Sequence, residues 1–286
     1  MRNIYYQTLS LFSFIINYVF GNRLRVLAYH DVKNIEIFAK QIGYLKSNYN
    51  IISINELKKH FSEKSPLPKK PLLLTFDDGD ISVLKHGLPV LKNYNCAACA
   101  FIITELIDTD LDFWWERIYK NDKINNKKFS ESLEKVSLLK QVSNRERIEA
   151  LRKYPITYKE QLSTGDLHYL INKDIFVGNH SHTHPMFDKC TISEIQWELI
   201  NSRECFDKLK IDGFNIFAYP NGNYDENSEK ILKENNITMA FLFDHKINSP
   251  EINPMRISRI RTNSDMSLNE LKVKVSGLHS LLYNWK

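Results

Sequence analysis

From Arg25 onward the chain alternates two hydrophobic patterns. Short apolar runs of strand length fall near residues 24–30, 50–54, 71–76, 97–103, 175–178, 215–219 and 238–243. Between them, apolar residues recur at helical spacing near 35–48, 55–62, 83–94, 163–173, 193–210 and 226–236. A run as uniformly apolar as Pro71-Leu-Leu-Leu-Thr-Phe76 suits a strand buried on both faces, the habit of parallel strands covered by helices. The alternation therefore predicts an α/β fold on a parallel sheet, open or closed. Residues 109–162 break the rhythm. Phe113-Trp-Trp-Glu-Arg-Ile-Tyr119 leads into a Lys- and Asn-rich helical stretch that reads as an insertion beside the end of the 97–103 strand. Trp114 and Trp115 either anchor that insertion to the core or stack on sugar rings, and the anchor is the commoner use of such a pair.

Residues 1–23 precede the rhythm as an apolar, aromatic helix interrupted by Gln7, Ser10, Ser13 and Asn17. They fall short of the roughly 20 clean apolar residues of a membrane span. Arg2 gives a minimal positive start, but no small-residue cleavage site follows. The expectation is a helix lying on a membrane surface or packed on the domain, with an uncleaved anchor as the alternative. A net charge of +5 without an Arg/Lys stripe or interleaved aromatics argues against nucleic acid and leaves peripheral membrane association or an anionic glycan open. Cys96, Cys99, Cys190 and Cys205 read as reduced thiols. The pair in Asn95-Cys-Ala-Ala-Cys-Ala-Phe-Ile-Ile103 has redox spacing, yet it sits in a strand-like apolar run with no second pair to complete a thiolate site. A cytoplasmic or membrane-associated location follows.

Two polar stretches stand at strand ends. The 71–76 run stops on Asp77, Asp78 and Gly79, and adjacent carboxylates at the end of a buried strand are costly unless something such as a metal ion compensates them. Alternatively they only open a loop and cap the helix that follows. Gly178-Asn-His-Ser-His-Thr-His-Pro185 follows a strand-like segment in the same way. Two imidazoles and one carboxylate suffice for a divalent ion with positions open to water and substrate. A helical turn would bring His180 and His184 together. An extended backbone would align His180, His182 and His184.

Thr75-Phe-Asp-Asp-Gly79, followed about a hundred residues later by Gly-x-His-Ser-x-Thr-His-Pro, resembles the NodB-type polysaccharide deacetylases. Val26-Leu-Ala-Tyr-His-Asp-Val32 is similar to that family's first strand, and Phe217-Ala-Tyr-Pro-Asn-Gly-Asn-Tyr-Asp225 to the third motif of its surface-polysaccharide branch. The resemblance spans about residues 25–261. It implies an irregular (β/α) barrel of the NodB-homology type over residues 24–286, closed but with fewer than eight complete units, carrying the helical insertion. It also implies a metal-dependent hydrolase that removes an N-acetyl group from a sugar of a polysaccharide or lipid-linked glycan precursor. Asp78, His180 and His184 would hold the metal, zinc for choice, with iron, cobalt, nickel or manganese as alternatives. Asp77 would be the general base, and the backbone N–H of Asn221 the oxyanion donor, set in a turn by Pro220 and Gly222. Tyr219, Pro220 and Trp114 would line the substrate site.

The chain departs from the family's pattern twice. The arginine that orients the base is replaced at the matching position by Ala218, and Arg259 is expected to supply that charge from another strand. The general acid is open: His279, in a weak Leu-x-His match, lies in a predicted helix, and His30 and His245 stand at predicted strand ends. A glycan-binding barrel without turnover, a deformylase, and an amidohydrolase using His182 as a ligand are the competing readings.

Overall fold

The computed structural model describes residues 2–283. Eight strands form one parallel sheet: β1 (Arg25–Tyr29), β2 (Asn50–Ile51), β3 (Pro71–Phe76), β4 (Ala98–Ile102), β5 (Ile175–Asn179), β6 (Ile216–Ala218), β7 (Met239–Phe241) and β8 (Ile260–Arg261). Their order is β7-β6-β5-β4-β3-β1-β8, with β2 beside the start of β3. The sheet curls until its ends meet. Ile257 bridges Phe241 of β7 while Ile260 pairs with Leu27 of β1, so residues 257–261 join last strand to first. The predicted strands are all present. β8 lies outside the predicted list because two residues next to Ser258 and Arg259 make no apolar run.

β1 and β3 are buried along their whole length. Alternate residues of a strand face opposite sides, and the core divides accordingly. Leu72, Leu74 and Phe76 join the layer under the helices, whereas Leu73 joins a smaller interior cluster with Val26, Cys99, Phe101, Ala218, Phe241 and Ile257. Phe101 and Phe241 belong to strands that are not neighbours, yet their rings meet at 5.3 Å across the interior. Cys99 is part of that fill, and all four cysteines are free thiols, as a core strand at 97–103 requires.

The helices in chain order are α1 (Arg2–Val19), α2 (Ile35–Asn48), α3 (Ile54–Glu63), α4 (Leu88–Asn93), α5 (Trp114–Ile124), α6 (Phe129–Leu139), α7 (Asn144–Leu151), α8 (Thr164–Ile171), α9 (Ile192–Leu209), α10 (Glu226–Glu234), α11 (Leu268–Ser276) and α12 (Leu278–Tyr283). Capping boxes start α3 (Ser53/Glu56), α7 (Ser143/Glu146), α8 (Ser163/Asp166) and α9 (Thr191/Glu194). The stretch expected as one helix near 83–94 is a π-helical turn, Val83–Gly87, followed by α4. Pro89 has no N–H to donate and crowds the carbonyl four residues back, and a widened turn absorbs both effects.

α5, α6 and α7 are the insertion, gathered on a cluster of Trp114, Ile118, Val136, Leu151 and Met186. α1 packs on α11 and α12. Its Asn17 Oδ1 accepts from buried Arg25 (2.9 Å) and from the Tyr49 hydroxyl (3.1 Å). Its other side exposes Ile4, Leu11, Phe12, Ile15, Tyr18 and Val19. Among the described residues no helix is long and apolar enough to cross a membrane.

Gly178 marks where β5 is most tightly enclosed. A Cβ there would meet the Phe101 ring at 2.8 Å and the Ile216 carbonyl oxygen at 3.0 Å. Gly178→Ala should therefore cost about 1–3 kcal/mol, the usual range for overpacking. A fall in denaturant midpoint is the expected reading, and an unchanged midpoint would mean that Phe101 has room to retreat.

Candidate metal centre

Asp77 is the last residue held by the sheet, its N–H donating to the Tyr29 carbonyl at 2.9 Å. The chain then turns through Asp78 (φ 70°) and Gly79 (φ 77°), lifting the Asp78 carboxylate over the strand ends. Gly79 is pressed against Ile102, and its positive φ suits a residue without Cβ. Asp tolerates the left-handed region better than most residues.

The histidine segment leaves β5 at the level of the same rim, the His180 N–H donating to the Ile102 carbonyl at 2.9 Å. Neither backbone expected for it is found. Ser181 (φ 68°) and His184 (φ 59°) are left-handed, and the segment folds back on itself. Asn179 Oδ1 accepts from Ser181 N (2.8 Å), and Ser181 Oγ accepts from His184 N (3.0 Å). Buried Glu198 of α9 accepts from the backbone N–H groups of His182 (2.7 Å) and Thr183 (2.8 Å) and from the Thr183 hydroxyl (2.5 Å). Sequence reading passed over Glu198. Its signal was a carboxylate set in the buried stripe of Ile195, Leu199, Ser202 and Phe206.

This fold-back brings His180 and His184 together and turns His182 away. One ligand atom each from Asp78, His180 and His184 lies within 4.8 Å of the other two, and all three residues are buried. Asp78 Oδ1 stands 3.4 Å from both Nε2 atoms, too far for a good hydrogen bond, and has no other partner. His180 Nδ1 hydrogen-bonds the Ala218 carbonyl at 2.8 Å, which leaves Nε2 facing the centre. His182 Nδ1 instead meets Thr104 Oγ1 at 2.9 Å and its ring packs on Trp197, so His182 is not in the cluster and the amidohydrolase arrangement is absent. A buried carboxylate oxygen without a partner, facing two imidazole nitrogens, fits a divalent cation.

Electrostatics agree with that fit at Asp78 and His184, while His180 holds a proton that a bound cation would have to displace. Burial disfavours ionised Asp78, but His180, His30 and His184 outweigh it and hold the carboxyl below its usual range. Burial and the neighbouring His180 keep His184 well below its usual value, in the neutral form a ligand needs. For His180, burial works against the charged form, and Asp77 and Asp78 overcome it and raise the value.

Asp77 lies beside this cluster, its Oδ2 4.0 Å from His180 Nε2. Arg259 grips it with both terminal nitrogens, Nη1 to Oδ1 at 2.6 Å and Nη2 to Oδ2 at 2.8 Å. The remaining Arg259 donors reach the Leu242 carbonyl (2.6 Å) and Thr75 Oγ1 (3.2 Å), and the side chain is fully buried. Burial pushes the Asp77 carboxyl up, and the Arg259 charge with those of His180 and His30 brings it below the ordinary value. Ala218 is indeed not a partner; the arginine comes from the segment that closes the sheet.

A cavity of about 330 Å³ opens above these groups, lined also by His30, Trp115, Glu116, Lys140, Asn221, Phe243 and Arg261. Of the other expected site residues, Asn221 and His30 lie on the cavity, and Trp114, Tyr219, Pro220, His245 and His279 do not. Trp114 is buried in the insertion's own core and lines a separate 590 Å³ cavity between the insertion and α9; Trp115, half-buried, is the one at the centre, its ring 4.9 Å from that of His184. Tyr219 and Pro220 are buried, and Tyr219 packs among Phe187, Phe217 and Tyr224, so they support Asn221 rather than line the cavity. Asn221 (φ 57°) does line it, and its Oδ1 accepts from Lys140 Nζ at 2.9 Å. His279 belongs to α12, among Lys274, His245 and Glu270, where burial and those cations bring its pKa to about 4; it is not on the cavity. His245 is likewise absent from the lining, whereas His30 is on it, edge-on to Phe243 at 5.4 Å.

A family model for polysaccharide deacetylases matches residues 64–240. The chain is similar to the poly-β-1,6-N-acetyl-D-glucosamine N-deacetylase of Staphylococcus epidermidis, with 25% identity over 240 residues, 82% of this chain and 71% of that one. It is similar to the protein of the same name in Staphylococcus aureus, with 23% identity over 254 residues, 87% of this chain and 75% of that one. Among solved structures it resembles the deacetylase PplD of Streptococcus pyogenes (TM-score 0.64, 19% identity, 90% of this chain and 99% of that one). It also resembles IcaB of Ammonifex degensii (TM-score 0.64, 18% identity, 90% and 98%). At these identities the structural likeness speaks for the fold, and it agrees with the curled parallel sheet described above.

The Asp77–Arg259 pair sets a stability test. Arg259→Leu would leave a carboxylate buried without its partner, and breaking such a pair costs about 3–5 kcal/mol. Chemical denaturation should show that loss. Arg259→Lys, which keeps the charge but not the fork, should recover only part of it. Equal stability of wild type and Arg259→Leu would contradict the role assigned to the pair.

Proposed function

This chain belongs to the polysaccharide deacetylase family, and we propose that it removes N-acetyl groups from the hexosamines of a poly-N-acetylglucosamine-type polysaccharide, with a divalent ion held by Asp78, His180 and His184. It is a hydrolase of carbon–nitrogen bonds other than peptide bonds. The names of the Staphylococcus relatives support the polymer. Zinc suits two imidazoles and a carboxylate best.

The observation that carries the reading is a buried carboxylate, Asp77, fixed by the Arg259 fork beside the three converging ligands without being one of them. A protein that only binds glycans has no use for it. When bound, a divalent ion supplies the Lewis acidity that acidifies water and polarises an amide carbonyl. Asp77 accepts the proton of the attacking water, and the Arg259 fork keeps its oxygens aimed at that water and keeps them ionised. The water oxygen bonds to the acyl carbon, and the backbone N–H of Asn221, turned by its left-handed φ, donates to the oxyanion that develops there. The carbon–nitrogen bond then breaks as His30 gives a proton to the leaving nitrogen, and acetate and a free amine result. His30 is preferred to His245 and His279 because it alone of the three lines the cavity.

The test is acetate and formate release from β-1,6-linked N-acetylglucosamine oligomers, with metal content measured in parallel. Wild type should release acetate, and a chelator should stop it. Asp77→Asn and His30→Ala should each lose roughly 10²–10⁴-fold in rate, the usual scale for a general base or acid, while Asp77→Asn keeps its metal. His279→Ala should retain most of the activity. Full activity in Asp77→Asn would sink the mechanism, and release of formate alone would change the acyl group assigned.

A further inference from the structure

Three cations line the 330 Å³ cavity beyond the groups given a part in the chemistry: Lys33, Lys140 and Arg261. Lys33 is matched by Asp31, Nζ to Oδ2 3.2 Å. The other two are not. Among the described residues, neither Lys140 nor Arg261 forms an ion pair with a carboxylate. The half-buried Lys140 ammonium, just past the end of α6, rests on the uncharged amide oxygen of Asn221 at 2.9 Å. The Arg261 guanidinium, on β8, lies 5.9 Å from the centre of the Phe243 ring.

The two cations feel one another. Burial lowers the pKa of Lys140, Asp78 opposes the shift, and Arg261 adds to it. As a ligand, Asp78 would spend its charge on the ion and leave the two cations facing a common hollow with surplus positive potential. Glu116 lines the same cavity, but its charged neighbours are Asp112, Lys159, Lys120 and Lys33. Like charges brought to one cavity, half-buried Lys140 from the insertion and exposed Arg261 from the sheet's closing strand, repel one another, and an anionic group between them would relieve that repulsion.

Building on the deacetylase reading, we propose that Lys140 and Arg261 form a subsite for an anionic oxygen group, phosphate or carboxylate, carried by the substrate next to the sugar whose amide is cut. An all-neutral stretch of N-acetylglucosamine can still be cut, but it leaves the pair unoccupied. A chain bearing uronic acids, or an amino sugar attached through a phosphate, gives it two charge-assisted contacts. The insertion thereby selects the substrate, while the strand ends supply the chemistry.

The experiment compares kcat/KM on three matched oligomers of N-acetylglucosamine: neutral, carrying a neighbouring uronate, and carrying a glycosyl phosphate. The same is done for Lys140→Ala, Arg261→Ala and Lys140→Glu. Wild type should prefer at least one anionic substrate by roughly tenfold or more, since a hydrogen bond to a charged group contributes about that much. The preference should collapse toward unity in each alanine variant and reverse in Lys140→Glu. The anionic substrate that responds tells phosphate from carboxylate. Equal rates on all three in wild type would overturn the subsite and leave the deacetylase reading standing. Binding of the deacetylated products to wild type, read by calorimetry, covers the case of no turnover. Tighter binding of a charged product, lost in the variants, would keep the subsite without the deacetylase, and equal binding would reject it.

Discussion

The buried pair of Asp77 and Arg259 is the contact on which the top of this barrel depends. Each ion loses several kcal/mol of hydration on burial, and a pair repays that only when its geometry is good and its remaining donors are used. Both conditions hold. Two parallel N–H···O contacts join the ions, and the other Arg259 donors find Leu242 O and Thr75 Oγ1. Arg259 sits in the segment that bridges β7 and β1, and Asp77 ends β3. Closing the ring and ionising the carboxylate are therefore one event. A sheet that failed to close would leave Asp77 without its partner, and a protonated Asp77 would leave a buried guanidinium uncompensated.

Around that pair the backbone is held in sparsely populated conformations. Asp78, Ser181, His184 and Asn221 all have positive φ, at a cost on the order of 1 kcal/mol or more each. The surroundings over-determine them. Glu198 takes three hydrogen bonds from His182 and Thr183, Asn179 and Ser181 bracket the turn from within, and the Ala218 carbonyl fixes the His180 ring. The ligand set is thus held in place by the protein's own hydrogen bonds.

How much of this could be read from the residues follows from range. The strands were legible because a parallel strand covered on both faces is largely apolar, and β1, β3 and β4 are, apart from Arg25 and Thr75. β8 was not, because its two residues are held by pairing with β1 rather than by their own pattern. The residues of the centre could be named because carboxylates and imidazoles at strand ends have few other uses. The path of the histidine segment could not. Left-handed φ at Ser181 and His184 is set by Glu198 and by hydrogen bonds formed only after folding. That Trp115 rather than Trp114 lines the cavity was not legible for a similar reason: neighbours on a helix point about 100° apart, and both stand among apolar residues, so the packing partner alone decides which one faces inward. His279 was suggested by a weak three-residue match, and the helix predicted to carry it packs against α1, away from the cavity.

The insertion explains why the centre is more enclosed than bare strand ends would make it. Its small core anchors α5 and α6, and from them Trp115, Glu116 and Lys140 reach over the cavity while Asp77, Asp78, His180 and His184 rise from the sheet. Barrels in general keep chemistry at the strand ends and vary the segments that follow them. Here the division is spatial as well as functional. Lys140 meets Asn221, so the insertion is tied to the turn whose N–H is proposed above as the oxyanion donor. A substrate group that draws Lys140 toward itself must lengthen or break that contact. On the proposed reading, binding at the rim and the position of the oxyanion donor would be coupled through that 2.9 Å hydrogen bond. Changes in the insertion would reshape the cavity's rim without touching Asp78, His180 or His184.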